Sequence, residues 1–288
     1  MVSWRGLAVL GLAALTLAGG QRPSAVPGAV APPAPPAPAR VVSINLCTDQ
    51  LAMLLAAPGQ LVAVSDIATD PLSSAMAEQA AAYPATHGLA EEVYLLHPDL
   101  VLAGTYSPRA TVEMLRGLGI PVVEFAPASG IEDIRAGLTQ MGAALGREAE
   151  AAAMIADFDA RLAALRAPAG APRPRAAIYS ANGYITGTHS LSAEVIEAAG
   201  FDYIARELGY DYGGTLPLEA LIFAAPDLVI TGPRYPGASR SEEILAHPAL
   251  AEMQARRVQV EDRNWICGLP AALDTVAQLG AVRQGMAQ

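Results

Sequence analysis

A chain of 288 residues that is 52% hydrophobic and 16% charged can bury a large core, as one large domain or two modest ones. Its formal charge of −10 argues against nucleic acid as a partner, because no basic stripe offsets the repulsion from phosphates. The acidity reads as solubility.

The first segments lie outside any core. Residues 1–5, "MVSWR", carry one positive charge, residues 6–18 are apolar throughout, and Gly19 and Gly20 follow. The apolar run is shorter than the roughly 20 residues a membrane-spanning helix needs. Charged start, apolar middle and small-residue end describe a cleavable secretory signal peptide over 1–20. Gly20 stands where a lipoprotein carries its lipid-bearing cysteine, so no lipid anchor is expected. Residues 21–39 hold seven prolines. Prolines this dense remove backbone donors and favour extended geometry, so the segment reads as a disordered tether.

From residue 40 the pattern is strand, helix, strand. "RVVSI" (40–44) is a short β-branched strand, and "TDQLAMLLAA" follows with Leu51, Leu54 and Leu55 on one helical face. Thr48 or Asp49 is suited to cap that helix. Strands are expected at 61–65, at "DLVLAG" before Thr105 and at 121–126, with a helix over 108–119. Apolar runs rather than in–out alternation indicate a parallel sheet covered on both faces. Residues 131–167 then contain no strand, only two helical stretches, the second over 147–167 with Met154, Phe158, Leu162 and Leu165 at helical spacing. After the breaker "PAGAPRPR" the alternation resumes: strands at 176–180, 227–231 and 258–262, helices at 191–200 and 270–285. The expected organisation is an N-terminal lobe over 40–130, a helical segment over 131–167 and a C-terminal lobe over 168–288.

The two lobes share a phrase. "EEVYLLHPDLVLAG" in the first returns as "EALIFAAPDLVITG" in the second, so Glu91 and Glu219 each lie eight residues before an aspartate, 128 positions apart. The internal match supports two similar halves.

Signatures of catalysis are missing. The sequence has no Gly-rich dinucleotide fingerprint, no phosphate loop, no nucleophile elbow and no His-Glu-x-x-His. His87, His97, His189 and His247 are scattered, so no metal site is expected. Cys47 and Cys267 each follow a strand and precede a helix. In an exported protein they could form a disulfide. Alternatively Cys47, at a helix start, could serve as a nucleophile with His189 as base, or free thiols could touch a ligand. Tyr106, Tyr184, Tyr210, Tyr212, Tyr235 and Trp265 fall just past strand ends, where loops face a crevice. Aromatic faces with a few polar groups suit a large planar or amphipathic ligand. Arg109 and Arg234 occupy matching places after the two repeat strands and are candidates to hold carboxylates or catecholates.

The order of signal peptide, "RVVSINLCTDQL", "AEEVYLLHPDLVLAG", long linking helix, "LPLEALIFAAPDLVITG" and "DRNWICGLPAAL" resembles the periplasmic substrate-binding proteins of ABC importers for iron–siderophore complexes and vitamin B12. The resemblance runs from about Arg40 to the end. It implies an α/β fold of two Rossmann-like lobes with parallel sheets joined by a single long α-helix, the class III architecture. The ligand, a ferric siderophore or cobalamin-like metal chelate, would lie between the lobes, against Cys47, Tyr106, Arg109, Tyr184, Tyr212, Arg234 and Trp265. Glu91 and Glu219 match the glutamates that dock on the permease of the importer. The chain is therefore expected to be a monomeric periplasmic binding protein with no cofactor and no enzymatic activity. The alternatives are a secreted enzyme using Cys47, or a haem or metal scavenger with Tyr106, Tyr184 or His189 as axial ligand.

Overall fold

The computed structural model describes residues 36–286 apart from 235, 236 and 238. The expected signal peptide, most of the tether and Tyr235 lie outside the described residues. None of the described helices is long and apolar enough to cross a membrane.

The N lobe runs β1 (Val41–Ser43), α1 (Leu46–Leu55), β2 (Leu61–Ser65), α2 (Ala77–Ala80), β3 (Ala85–Thr86), α3 (Ala90–Leu95), β4 (Leu100–Gly104), α4 (Arg109–Gly117) and β5 (Val122–Phe125). Its five strands are all parallel, in the order β3-β2-β1-β4-β5. Alternation along each strand feeds two cores. Val41, Val64, Leu100 and Leu102 face one apolar cluster, while Val42, Ala63, Val101 and Ala103 face the other, with Val93 and Val112 from the covering helices. That is why these strands read as unbroken apolar runs.

Two helices follow, α5 (Ile131–Leu145) and α6 (Glu148–Leu165). Gly146, at φ 67°, ends α5 in the left-handed conformation and lets the chain turn back within two residues. The expectation of one joining helix is therefore refined: the chain crosses in α6, and α5 lies antiparallel beside it as a second brace. Each end of α5 is held by a different lobe. Gln60 of the N lobe donates to the carbonyl of Leu145 at 2.8 Å. At the other end Gly130 has no side chain to cap the helix, and Glu194 of the C lobe accepts the Ile131 N–H at 2.7 Å instead. Met141, Leu145, Phe158 and Leu162 join residues of both lobes in one apolar cluster.

The C lobe runs β6 (Arg175–Ile178), β7 (Tyr184–Ile185), α7 (Leu191–Ala198), β8 (Asp202–Tyr203), β9 (Gly214–Thr215), α8 (Leu218–Ala224), β10 (Leu228–Thr231), α9 (Pro248–Ala251), β11 (Arg256–Gln259) and α10 (Ala272–Gln284). Its main sheet is parallel, in the order β11-β10-β6-β8, and β7 with β9 forms a small antiparallel ribbon. The last strand lies two residues earlier than expected, because Leu228 and Val229 pair with Arg256 and Arg257.

The repeated phrase has a physical cause. Asp99 accepts the N–H groups of Ala39 and Arg40 (2.8 and 2.9 Å), and Asp227 accepts that of Arg175 (2.7 Å), so each aspartate pins the start of its lobe's first strand. Arg40 donates to the carbonyls of Leu96 and His97 at the end of α3, and Arg175 to that of Ala225 at the end of α8. His97 and Ala225 share an uncommon left-handed backbone, φ 49° and 43°.

Two boundaries differ from expectation. Residues 37–39, assigned to the tether by their prolines, belong to the N lobe, since Pro38 still offers a carbonyl and accepts from Gln60 Nε2 at 2.8 Å. The cap of α1 is Asn45, whose Oδ1 accepts the Cys47 and Thr48 N–H groups at 3.0 and 3.4 Å. Thr48 and Asp49 are inside the helix and turn inward. Thr48 Oγ1 meets Ser43 Oγ at 2.8 Å, and Asp49 accepts the Ser65 N–H at 3.2 Å and the Ser65 hydroxyl.

Candidate functional site

Each sheet reverses its strand order once. There the loops leaving two neighbouring strands diverge, opening a crevice beyond their carboxyl ends. In the N lobe the reversal is between β1 and β4. The residues that follow these strands, Asn45 and Cys47 on one side and Thr105 and Tyr106 on the other, line a depression of about 160 Å³. Gly104 ends β4 because a Cβ there would come within 2.9 Å of the Asn45 amide. In the C lobe the reversal is between β6 and β10. Ser180, just past β6, and Thr231, the last residue of β10, line a depression of about 190 Å³ with Thr186, Ser192, Asp262 and Trp265.

The two carboxyl edges face each other. Cys47 of the N lobe and Cys267 of the C lobe are joined by a disulfide, with Cα atoms 5.2 Å apart. Gly268 lines the N-lobe depression, whereas Trp265 and Ile266 line the other, so the segment 265–268 runs from wall to wall. Either depression is smaller than the 300–1,000 Å³ or so that a sizeable ligand occupies; they are the two walls of one cleft. Two further ties lie beside the disulfide. Gln50 Nε2 points at Cys267 Sγ at 3.5 Å, and Arg263 donates to the Pro71 carbonyl at 2.7 Å.

On the N-lobe wall most polar groups serve the fold. Asp133 accepts the Ser129 and Gly130 N–H groups (2.7 and 3.0 Å), and Gln140 donates to the Glu124 carbonyl (2.9 Å). Tyr106 is 86% exposed and free to meet a ligand. The C-lobe wall is backed by hydroxyls. Thr186 Oγ1 lies 3.0 Å from Ser192 Oγ and 2.9 Å from the Tyr203 hydroxyl, which donates to the Thr186 carbonyl at 2.6 Å. Burial holds the Tyr203 phenol well above its ordinary pKa, so this chain of hydroxyls stays neutral. The β7–β9 ribbon sits on the same edge. It ties two loops together through Thr188 N–H to the Tyr210 carbonyl and His189 N–H to the Asp211 carbonyl, both 3.0 Å. The His189 ring then stacks on Tyr212, centroids 5.1 Å apart and planes 20° apart. Tyr212 is 85% exposed, and Tyr184 begins the ribbon with its ring exposed.

The structure thus brings Cys47, Tyr106 and Trp265 to the cleft walls and places Tyr184 and Tyr212 on the adjoining ribbon. It does not bring the arginines there. Arg109, exposed on α4, is held by Glu113 one turn along at 2.8 Å. Arg234 lines a separate depression with Leu245, Leu250 and Arg257. No arginine or lysine lines either wall among the described residues. The nucleophile reading of Cys47 is contradicted, because a sulfur committed to a disulfide offers no thiolate. Among the described residues no group of three His, Cys, Asp or Glu side chains is placed to hold a metal. The hydroxyls Ser180, Thr186, Ser192 and Thr231 carried no motif. Their one signal was position: Thr231 ends β10, Ser180 and Thr186 follow β6 and β7, and Ser192 lies in the first turn of α7.

Comparison with known proteins follows the same lines. The family model described as "Periplasmic binding protein" matches residues 41–258. The chain is 32% identical over 200 residues to the cobalamin-binding protein of Halobacterium salinarum, an alignment covering 68% of this chain and 54% of that one. The chain therefore spans about half the length of the curated relatives it matches. Among solved structures it resembles a periplasmic heme-binding protein from Roseiflexus sp. RS-1 in apo form, with TM-score 0.72, 22% identity, and 86% of this chain and 99% of that one covered. It also resembles the periplasmic vitamin B12 binding protein of Vibrio cholerae, with TM-score 0.66, 19% identity, and coverage of 87% and 99%.

Proposed function

Because the chain belongs to the periplasmic binding protein family, we propose that it is an exported solute-binding component of an ABC importer that captures a neutral, amphipathic metal chelate of the corrinoid type between its lobes. The observation that carries the ligand class is the make-up of the cleft walls: aromatic rings, hydroxyls and amides with the carboxylates Asp133 and Asp262, and no cationic side chain. A polycarboxylate or catecholate chelate calls for arginine at the wall. A corrinoid, broad and bordered by amides, calls for aromatic faces and hydroxyl partners. The 32% identity to cobalamin-binding proteins supports the same class. Cys47 contributes to the wall as half of a disulfide, and the chain itself supplies no catalytic group in this reading. Glu91 and Glu219, exposed at the starts of α3 and α8, are read as the carboxylates that orient the loaded protein on its permease.

Trp265 is the reporter. The other tryptophan of the sequence is Trp4, in the expected signal peptide. Titrating the mature protein with cyanocobalamin should quench Trp265 emission saturably, at one ligand per chain and with Kd in the micromolar range or below. Haemin and a ferric catecholate siderophore should be weaker by at least tenfold. Saturation by haemin with a Soret shift, and none by cyanocobalamin, would replace the corrinoid reading with a haem one.

A further inference from the structure

We infer that the Cys47–Cys267 disulfide is a thiol-exchange site and a latch on the cleft: a dithiol reductant attacks Cys47 from the cleft, Cys267 leaves as a thiolate held by Gln50, and the cut bond lets the cleft open and release what it holds. The coupling to ligand rests on the reading of the cleft as the binding site. The chemistry of the bond stands without it.

The two halves of the bond have different surroundings. Cys47 is half-buried and lines the N-lobe depression. Cys267 is 1% exposed. Exchange proceeds by attack of a thiolate on one sulfur while the other leaves, and access decides which sulfur is attacked. A thiol coming from the cleft therefore meets Cys47. The buried partner of Cys267 suits it to leave. Gln50, on α1 of the N lobe, is fully buried. Its Oε1 accepts the Ala75 N–H at 2.9 Å, which fixes the amide so that Nε2 faces the Leu46 carbonyl at 3.3 Å and Cys267 Sγ at 3.5 Å. In the intact bond that N–H meets a neutral sulfur, a weak acceptor. When Cys47 is attacked the same sulfur takes the electron pair and a full negative charge, and the bond from Gln50 strengthens. Gln50 is thus a positioning residue for the leaving thiolate.

The steps balance. One sulfur of the dithiol forms a mixed disulfide with Cys47 as the Cys47–Cys267 bond breaks. The second dithiol sulfur then displaces Cys47. Two electrons and two protons pass to the protein, which holds two thiols, and the dithiol ends as its own disulfide. What is lost is the covalent tie between the two carboxyl edges. Hydrogen bonds remain there, that from Arg263 to the Pro71 carbonyl among them. A ligand seated on the N-lobe wall covers Cys47, so an occupied cleft resists the reductant. Where reduction weakens ligand binding, linkage requires that ligand favour the oxidised bond by the same factor.

The test begins with the mature protein, treated briefly with glutathione, quenched in acid and mapped by peptide mass spectrometry. The glutathione adduct is expected on Cys47 and the free thiol on Cys267. An adduct on Cys267, or equal adducts on both, would overturn the inference. Gln50→Leu should slow reduction by dithiothreitol about threefold, whereas a merely loosened core would speed it. Unchanged or faster reduction would remove Gln50 from the account. Saturating cyanocobalamin should slow reduction of the native protein about tenfold, and the ligand should leave the reduced protein about tenfold faster than the oxidised one. The Cys47→Ser, Cys267→Ser protein should match the reduced rate. Equal rates of release, or a reduced chain that circular dichroism shows to be unfolded, would overturn the latch. If the ligand reading alone is wrong, cyanocobalamin fails to bind the oxidised protein while the Cys47 adduct persists. If the exchange inference alone is wrong, binding persists and the adduct pattern fails.

Discussion

Reducing the Cys47–Cys267 disulfide, or replacing both cysteines with alanine, is expected to lower the melting temperature by 10 °C or more, on the order of 4–5 kcal/mol of stability. The two cysteines are 220 residues apart in sequence, so their bond closes almost the whole folded chain. In the chain-entropy account the stabilisation rises with the logarithm of the loop, and a loop this long lies at the top of the usual range. The bond also has a mechanical consequence. It ties the carboxyl edge of one lobe to that of the other, beside the Arg263–Pro71 and Gln50–Cys267 contacts. With α5 and α6 bracing the lobes as well, opening of the cleft is restricted at two separate places, and ligand binding should produce a modest movement. Thermal melts of the native protein with and without reductant, beside the double alanine variant, check the effect. A melting temperature that neither treatment moves would show that the staple carries no load.

The second large effect is a pH dependence centred on Asp49. Its carboxyl is fully buried beneath α1, where burial pushes its pKa up to about 6 from 3.8. The hydrogen bonds from Ser43 and Ser65 oppose that rise, and the nearby charge of Asp66 adds to it. Between about pH 4 and pH 6 the folded protein therefore holds a proton that the unfolded chain has released. Stability from this group is fully present below about pH 4 and falls as pH rises through the window, by about 3 kcal/mol in all. Asp49→Asn removes the titration while its side-chain amide can still accept from the Ser65 N–H. The variant should be at least as stable as the native protein at pH 7.5, and the difference between them should shrink or reverse at pH 4.5. Urea unfolding at the two pH values measures this, and a difference that stays constant would refute the assignment.

The sequence showed the fold more fully than the site. Apolar runs bounded by breakers marked the parallel strands, because burial on both faces leaves few positions that tolerate polarity. The Pro-Asp repeat was legible because it performs the same local job twice, pinning a strand start beside a left-handed turn. The caps were less legible. Asn45, Thr48 and Asp49 are all plausible caps by type, and only the inward turn of the last two distinguishes them. Glu194 capping α5 across 63 residues leaves no local signal at all. In the site, the aromatics were found by position after strand ends, while the arginines at matching positions were not site residues. Arg109 is captured by Glu113 on its own helix, and Arg234 follows a loop that leads to another depression. The serines and threonines of the C-lobe wall belong to no motif, since their role comes from strand ends and the start of α7 meeting at one sheet edge.

The central claim is that the cleft between the two carboxyl edges is where a metal chelate is held. Anomalous diffraction at the cobalt edge from crystals grown with cyanocobalamin tests it most directly. One strong peak is expected per chain, lying between the Tyr106 wall and the Trp265 wall and within reach of the Tyr184–Tyr212 ribbon. A peak elsewhere on the molecule, or none from crystals that hold the ligand in solution at saturating concentration, would contradict it.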